Sequence, residues 1–181
     1  VGIVRIGGTD APAIAEKMFY AASGKKLKDF PSHMMAYGFI RDEKGNDIDE
    51  ALAVYMKAPR SYTAEDVVEI QCHGGMQSLR QIIRLSYLYG ARPAEPGEFT
   101  KRAFLNGRID LVQAESVMDI IRSKSAAALK AAVQQQEGAL SKKLKEIRNE
   151  LKQVIVHLEA VIDYPEEDIE DVTYQEVADE I

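Results

Sequence analysis

The chain has 181 residues, 46% of them hydrophobic and 29% charged, with a formal net charge of −6. This composition excludes a disordered or collagen-like chain, and no apolar run approaches the roughly 18 residues of a membrane-spanning helix. One cysteine, Cys72, excludes an internal disulfide framework and a cysteine-based zinc site, and a reducing cytoplasm suits it best.

The opening, Val1-Gly2-Ile3-Val4, has no basic segment, no cleavage site and no Met, so we expect a chain missing its true beginning. Gly2 to Ile6 reads as a strand around one charge, Arg5. Asp10 is placed to cap a helix with Pro12 in its first turn, and Ile14, Met18 and Ala22 continue it at helical spacing to Gly24. Two strands, His33 to Arg41 and Ala51 to Lys57, flank the polar turn Asp42–Asp47 and predict a hairpin. Glu65 to His73 is a further strand, broken by Gly74-Gly75. Met76, Leu79, Ile82, Ile83 and Tyr87 form an amphipathic helix that stops at Gly90. A proline-containing loop, Arg92 to Gly97, leads to a short helix, Glu98 to Leu105, closed by Asn106-Gly107.

After Arg108 the pattern becomes all-α. Asp110 caps a helix to about Lys124. A single long helix is expected from about Ala126 to Ile162, with an apolar stripe running from Leu129 to Val161. Tyr164-Pro165 ends it, because proline cannot continue a helix. An exposed Leu140–Val161 stripe would favour self-association, and the helical part reads as incomplete, cut at Ile181. Residues 122–152 carry eight basic and three acidic side chains, whereas 163–180 carry nine acidic and no basic ones. The basic stretch is either a solvated helix face or a phosphate-backbone contact, and the acidic tail reads as a linker or a partner-contacting segment. The fold expected is therefore α+β over residues 1–108, a mixed sheet with helices, followed by an all-α helical-bundle segment over 109–181.

Few residues here can carry chemistry. Arg5 and Glu69 are lone charges on strands otherwise bound for a core, which is costly unless they pair, face solvent or meet a ligand. His73-Gly74-Gly75 lies where a strand meets a helix and reads as a tight turn or an anion approach. Arg102 and Arg108 flank the short helix with forked donors suited to carboxylates. The three histidines, His33, His73 and His157, make no triad, and Cys72 and His73 point to opposite faces of their strand. A phosphate loop of the form G-x-x-x-x-G-K-[ST] is absent, so this chain alone should not hydrolyse a nucleotide. No catalytic residue and no metal site is assigned.

The stretch Pro96-Gly97-Glu98-Phe99-Thr100-Lys101-Arg102-Ala103-Phe104-Leu105-Asn106-Gly107-Arg108-Ile109-Asp110-Leu111, with Gln113-Ala114-Glu115, resembles the signature of the MnmE/TrmE tRNA-modification GTPases. Gly2–Ile6, the segment Tyr62 to Gly75, and the residues Ala160, Ile162-Asp163 and Pro165-Glu166-Glu167 are similar to further parts of that family. The resemblance implies a tetrahydrofolate-binding-like domain that dimerises and binds 5-formyltetrahydrofolate. A helical domain follows, into which a Ras-like GTPase domain is inserted. It further implies modification of the wobble uridine of tRNA at carbon 5 with a flavoprotein partner, MnmG/GidA. GTP, magnesium and potassium would belong to the GTPase domain. Folate contacts map to Arg5, Glu69 and Arg108, the last a position where many members carry lysine, which shares the charge but not the geometry. The family's opening segment, GTPase domain and C-terminal cysteine motif are not found in this chain. A folate-free dimerising scaffold, with Arg5 and Glu69 as a structural pair, is the alternative.

Overall fold

The computed structural model describes residues 1–163. The expected proline stop at Tyr164-Pro165 and the acidic tail lie outside them. The chain divides into two compact units, Val1–Ile109 and Asp110–Ile181.

The first unit is α+β. Its strands are β1 (Gly2–Gly7), β2 (Phe19–Ala21), β3 (Met35–Arg41), β4 (Asp47–Met56) and β5 (Val67–Cys72), and its helices are α1 (Ala11–Ala15), α2 (Met76–Leu88) and α3 (Glu98–Leu105). The sheet order is β1-β5-β4-β3-β2, and all four pairings are antiparallel. The β3–β4 turn is set by Asp42, whose carboxylate accepts from the Lys44 and Asn46 backbone N–H groups, with Gly45 at φ 83°. Val4 and Ile6 of β1, Val68 and Ile70 of β5 and Ala53 of β4 point into one core with Ile82 and Leu85 of α2 and Ile14 of α1. Side chains alternate across a strand, so Ile3, Arg5 and Gly7 project from the opposite face of β1.

Two expectations for this unit need correction. The helix begun at Asp10 covers only Ala11–Ala15, and Asp10 makes no side-chain cap. Phe19–Ala21 instead pairs with β3, Phe19 against Ile40 and Ala21 against Gly38. Ile14 and Met18 are both buried, which mimics helical spacing although a turn separates them. The other elements stand within a few residues of expectation, and β4 starts earlier, at Asp47.

The second unit is all-α, with α4 (Leu111–Arg122), α5 (Ala126–Gln136) and α6 (Ala139–Asp163). Asp110 caps α4 through a reciprocal box: its carboxylate accepts from Gln113 N–H, and Gln113 accepts from Asp110 N–H. The single long helix expected from Ala126 is two helices. Gly138, at φ 88°, adopts a left-handed conformation that ends α5 and starts α6. Leu144, Ile147 and Leu158 of the apolar stripe are exposed, whereas Val154 is buried. Among the described residues, no helix is long and apolar enough to cross a membrane.

Candidate functional site

Arg5 and Glu69 stand directly opposite each other in the β1–β5 register. Arg5 Nε donates to Glu69 Oε1 at 2.6 Å, and Nη2 lies 2.6 Å from the same oxygen. The Arg5 side chain is 43% exposed and that of Glu69 16%. The lone charges on two otherwise apolar strands are thus a cross-strand ion pair on the face away from the core.

The PGEF segment builds the wall beside this pair. Gly97, at φ 77°, turns the chain into α3. The Phe99 ring then lies under Arg5, 5.4 Å from guanidinium carbon to ring centroid, within cation–π range. Position 7 must stay small for this, because a Cβ there would stand 3.0 Å from Phe99 Cε1. The next residue, Thr100, shares a 3.0 Å hydrogen bond between its Oγ1 and the Tyr62 hydroxyl. The Tyr62 ring in turn lies 5.2 Å from the Arg108 guanidinium. Arg5 and Glu69 therefore touch, while Arg108 joins them through Tyr62, Thr100 and Phe99 rather than by direct contact.

Outside β1, the sheet edge, α2 and α3 enclose a cleft of about 760 Å³, within the range of small-molecule sites. Arg5, Phe99, Arg92, Lys101 and Arg102 line it, with Glu95, Glu98 and Asp10 among the acids; neither Glu69 nor Arg108 does. Glu98 is bidentate with Arg92, at 2.6 and 2.9 Å, and also accepts from Glu95 N–H. The Arg92 bond, followed by the backbone bond, holds the Glu98 carboxyl down to about 2. Arg102 pairs with Glu65, Nη2 to Oε1 at 2.9 Å. Lys101 forms no ion pair among the described residues.

His73 neither caps a helix nor joins Cys72. Its Nδ1 lies 2.6 Å from Asp49 Oδ1, and the other Asp49 oxygen accepts from His73 N–H and the Ser78 hydroxyl. Burial works against ionisation of Asp49, but the Ser78 and His73 bonds outweigh it and keep the carboxyl below its usual value. Cys72 is a buried free thiol, raised by burial. Among the described residues, no group of three or more His, Cys, Asp or Glu side chains could hold a metal ion. Sequence reasoning missed Phe99, Thr100, Tyr62 and Asp49. The first three lay inside motifs already singled out, but nothing local links Tyr62 to position 100 or Asp49 to position 73.

An antiparallel α+β domain followed by a helical unit is the class of molecule seen here, and two family models match its two parts. The model of the GTP-binding protein TrmE N-terminus matches residues 1–108, and that of the MnmE helical domain matches 111–181. The chain belongs to the MnmE/TrmE family. Relatives named tRNA modification GTPase MnmE include those of Clostridioides difficile (strain 630), 51% identical over 97% of this chain and 38% of the relative, and Geobacillus kaustophilus, 51% over 96% and 38%. That of Geobacter sulfurreducens is 54% identical over 94% of this chain and 37% of its own length. The chain thus spans less than two fifths of the relatives it matches.

Proposed function

We propose that this chain is the folate-binding and dimerising part of a tRNA-modifying GTPase, and that 5-formyltetrahydrofolate is its ligand. Family membership and the relatives' names support the tRNA-modification setting. The observation that carries the ligand is Arg5 lining the cleft, paired with Glu69 behind it and with the Phe99 ring beside it. The pair offers donors and acceptors together, as the amide-like edge of a pterin requires, and the ring supplies a flat apolar surface. Arg108 has no carboxylate partner among the described residues, which leaves its charge available to the ligand's glutamate carboxylates. The donor set therefore fits a folate.

In this reading Arg5, Glu69 and Arg108 bind and orient the ligand, and the chain contributes no catalytic residue. GTP, magnesium and potassium would be held outside these 181 residues, which contain no phosphate-loop sequence. Two copies would associate through residues 1–108, and the whole protein would act in the cytoplasm on the wobble uridine of tRNA with a flavoprotein partner of the MnmG/GidA kind. The domain limits proposed are 1–108 and 109–181.

One observation favours a second reading, a ligand-free scaffold: Glu69 is already satisfied by Arg5. Calorimetric titration of this chain with 5-formyltetrahydrofolate separates the two. Binding lost in Glu69→Ala supports the folate site, and ligand at a hundred times its dissociation constant should stabilise the fold by about 2.7 kcal/mol. A folded wild-type dimer that neither binds nor shifts means either a scaffold or a site completed by the family's opening segment, and a chain with that segment added decides between them.

A further inference from the structure

The two arginines proposed to meet the ligand lie within β1 and just beyond the end of α3, yet two consecutive residues of α3 reach both. Phe99 lies under Arg5, and Thr100 holds Tyr62, whose ring lies under Arg108. We infer that the first turn of α3 positions both arginines, Phe99 acting on Arg5 directly and Thr100 acting on Arg108 through Tyr62. The inference rests on the folate reading for its ligand.

An exposed arginine has much rotamer freedom to lose on binding, so affinity rises when the free protein already holds it. Arg5 is held from two sides, by Glu69 and by the Phe99 ring. Gly7, two residues along the same strand face, leaves the space that the ring occupies. Arg108 is exposed, and its guanidinium carbon lies 5.2 Å from the centre of the Tyr62 ring. That ring is kept from swinging by its hydroxyl bond to Thr100. The helix is fastened along its length: Glu98 to Arg92 in the first turn, Arg102 to Glu65, and Asn106 Nδ2, at its C-terminal end, to the Thr63 carbonyl at 2.7 Å. Both arginines consequently depend on the seating of one short, well-anchored element.

The test uses this chain and two readouts. The arginine Nε–Hε NMR signals, assigned with Arg5→Lys and Arg108→Lys, report the positioning without ligand. Phe99→Leu should shift and broaden the Arg5 signal, and Phe99→Tyr should restore it. Tyr62→Phe keeps the ring but cuts the bond to Thr100, and should broaden the Arg108 signal alone. Calorimetric titration with 5-formyltetrahydrofolate should show affinity about two- to fivefold weaker in Phe99→Leu and close to wild type in Phe99→Tyr. Unchanged arginine signals would overturn the inference, as would signals that move while affinity does not. If wild type binds no folate but the signals respond as described, the folate reading falls and the positioning role stands. Should Phe99→Leu fail to fold, Tyr62→Phe and the Arg108 signal carry the test.

Discussion

Arg5 and Glu69, 64 residues apart in the chain, face each other across the β1–β5 ladder with Arg5 Nε 2.6 Å from Glu69 Oε1. The pair contributes little to stability, because the Arg5 end is 43% exposed and solvent screens it. Glu69→Ala should therefore cost less than about 1 kcal/mol in urea denaturation while abolishing binding of 5-formyltetrahydrofolate. A large stability loss with binding intact would reverse the roles proposed for the pair.

Glu98 should report acid loosening of the cleft. Its carboxyl is held down to about 2 in the fold, against an ordinary 4.5, first by the Arg92 hydrogen bond. A depressed carboxylate favours the fold fully above its unfolded value and loses that contribution as pH falls from about 4.5 towards 2. Arg92→Ala should move the Glu98 midpoint upward in a carboxyl-carbon NMR titration. An unchanged midpoint would show that Arg92 does not set it.

Gly38→Ala should destabilise the first unit severely. A Cβ at this position would collide with the Tyr20 carbonyl oxygen and lie 2.9 Å from Ala21 Cα, both backbone atoms of β2. The strand must move away or unpair, at about 3 kcal/mol, the upper end of overpacking costs. Amide exchange should accelerate first at Phe19–Ala21; protection equal to wild type there would contradict the strand assignment.

Gly138→Ala addresses the helix break in the second unit. Residue 138 sits at φ 88° with open space around it apart from Gln113 Nε2, 3.6 Å from a built Cβ. The cost is conformational rather than steric, about 1–2 kcal/mol. Thermal unfolding followed by circular dichroism should show a lower midpoint. A raised midpoint with greater helicity would mean that α5 and α6 fuse.

The legible parts of this molecule were those encoded by neighbours in the chain. The Glu98–Leu105 helix, stopped by Asn106-Gly107, the Asp110 cap and the Asp42–Asn46 turn each use side chains within about five residues of the backbone they organise. The family signature was equally local, a contiguous stretch through Arg108. What misled was also local. Ile14, Met18 and Ala22 carry helical spacing, but the free edge of β3 takes residues 19–21 as a strand. The apolar stripe from Ala126 onward ran through Gly138 without a change of period, although the backbone breaks there.

Composition, capping and motif are properties of short segments, and they carry the α+β-then-helical order, the lone charges Arg5 and Glu69, the arginine at 108 and the family. That Arg5 and Glu69 are partners, that Phe99 lies under one arginine and Tyr62 under another, and that His73 belongs to Asp49 emerges from the folded chain alone. Those relations depend on strand register and on the docking of α3. The register is set by the burial of Val4, Ile6, Val68 and Ile70 in a shared core, and α3 is seated by its fully buried Ala103.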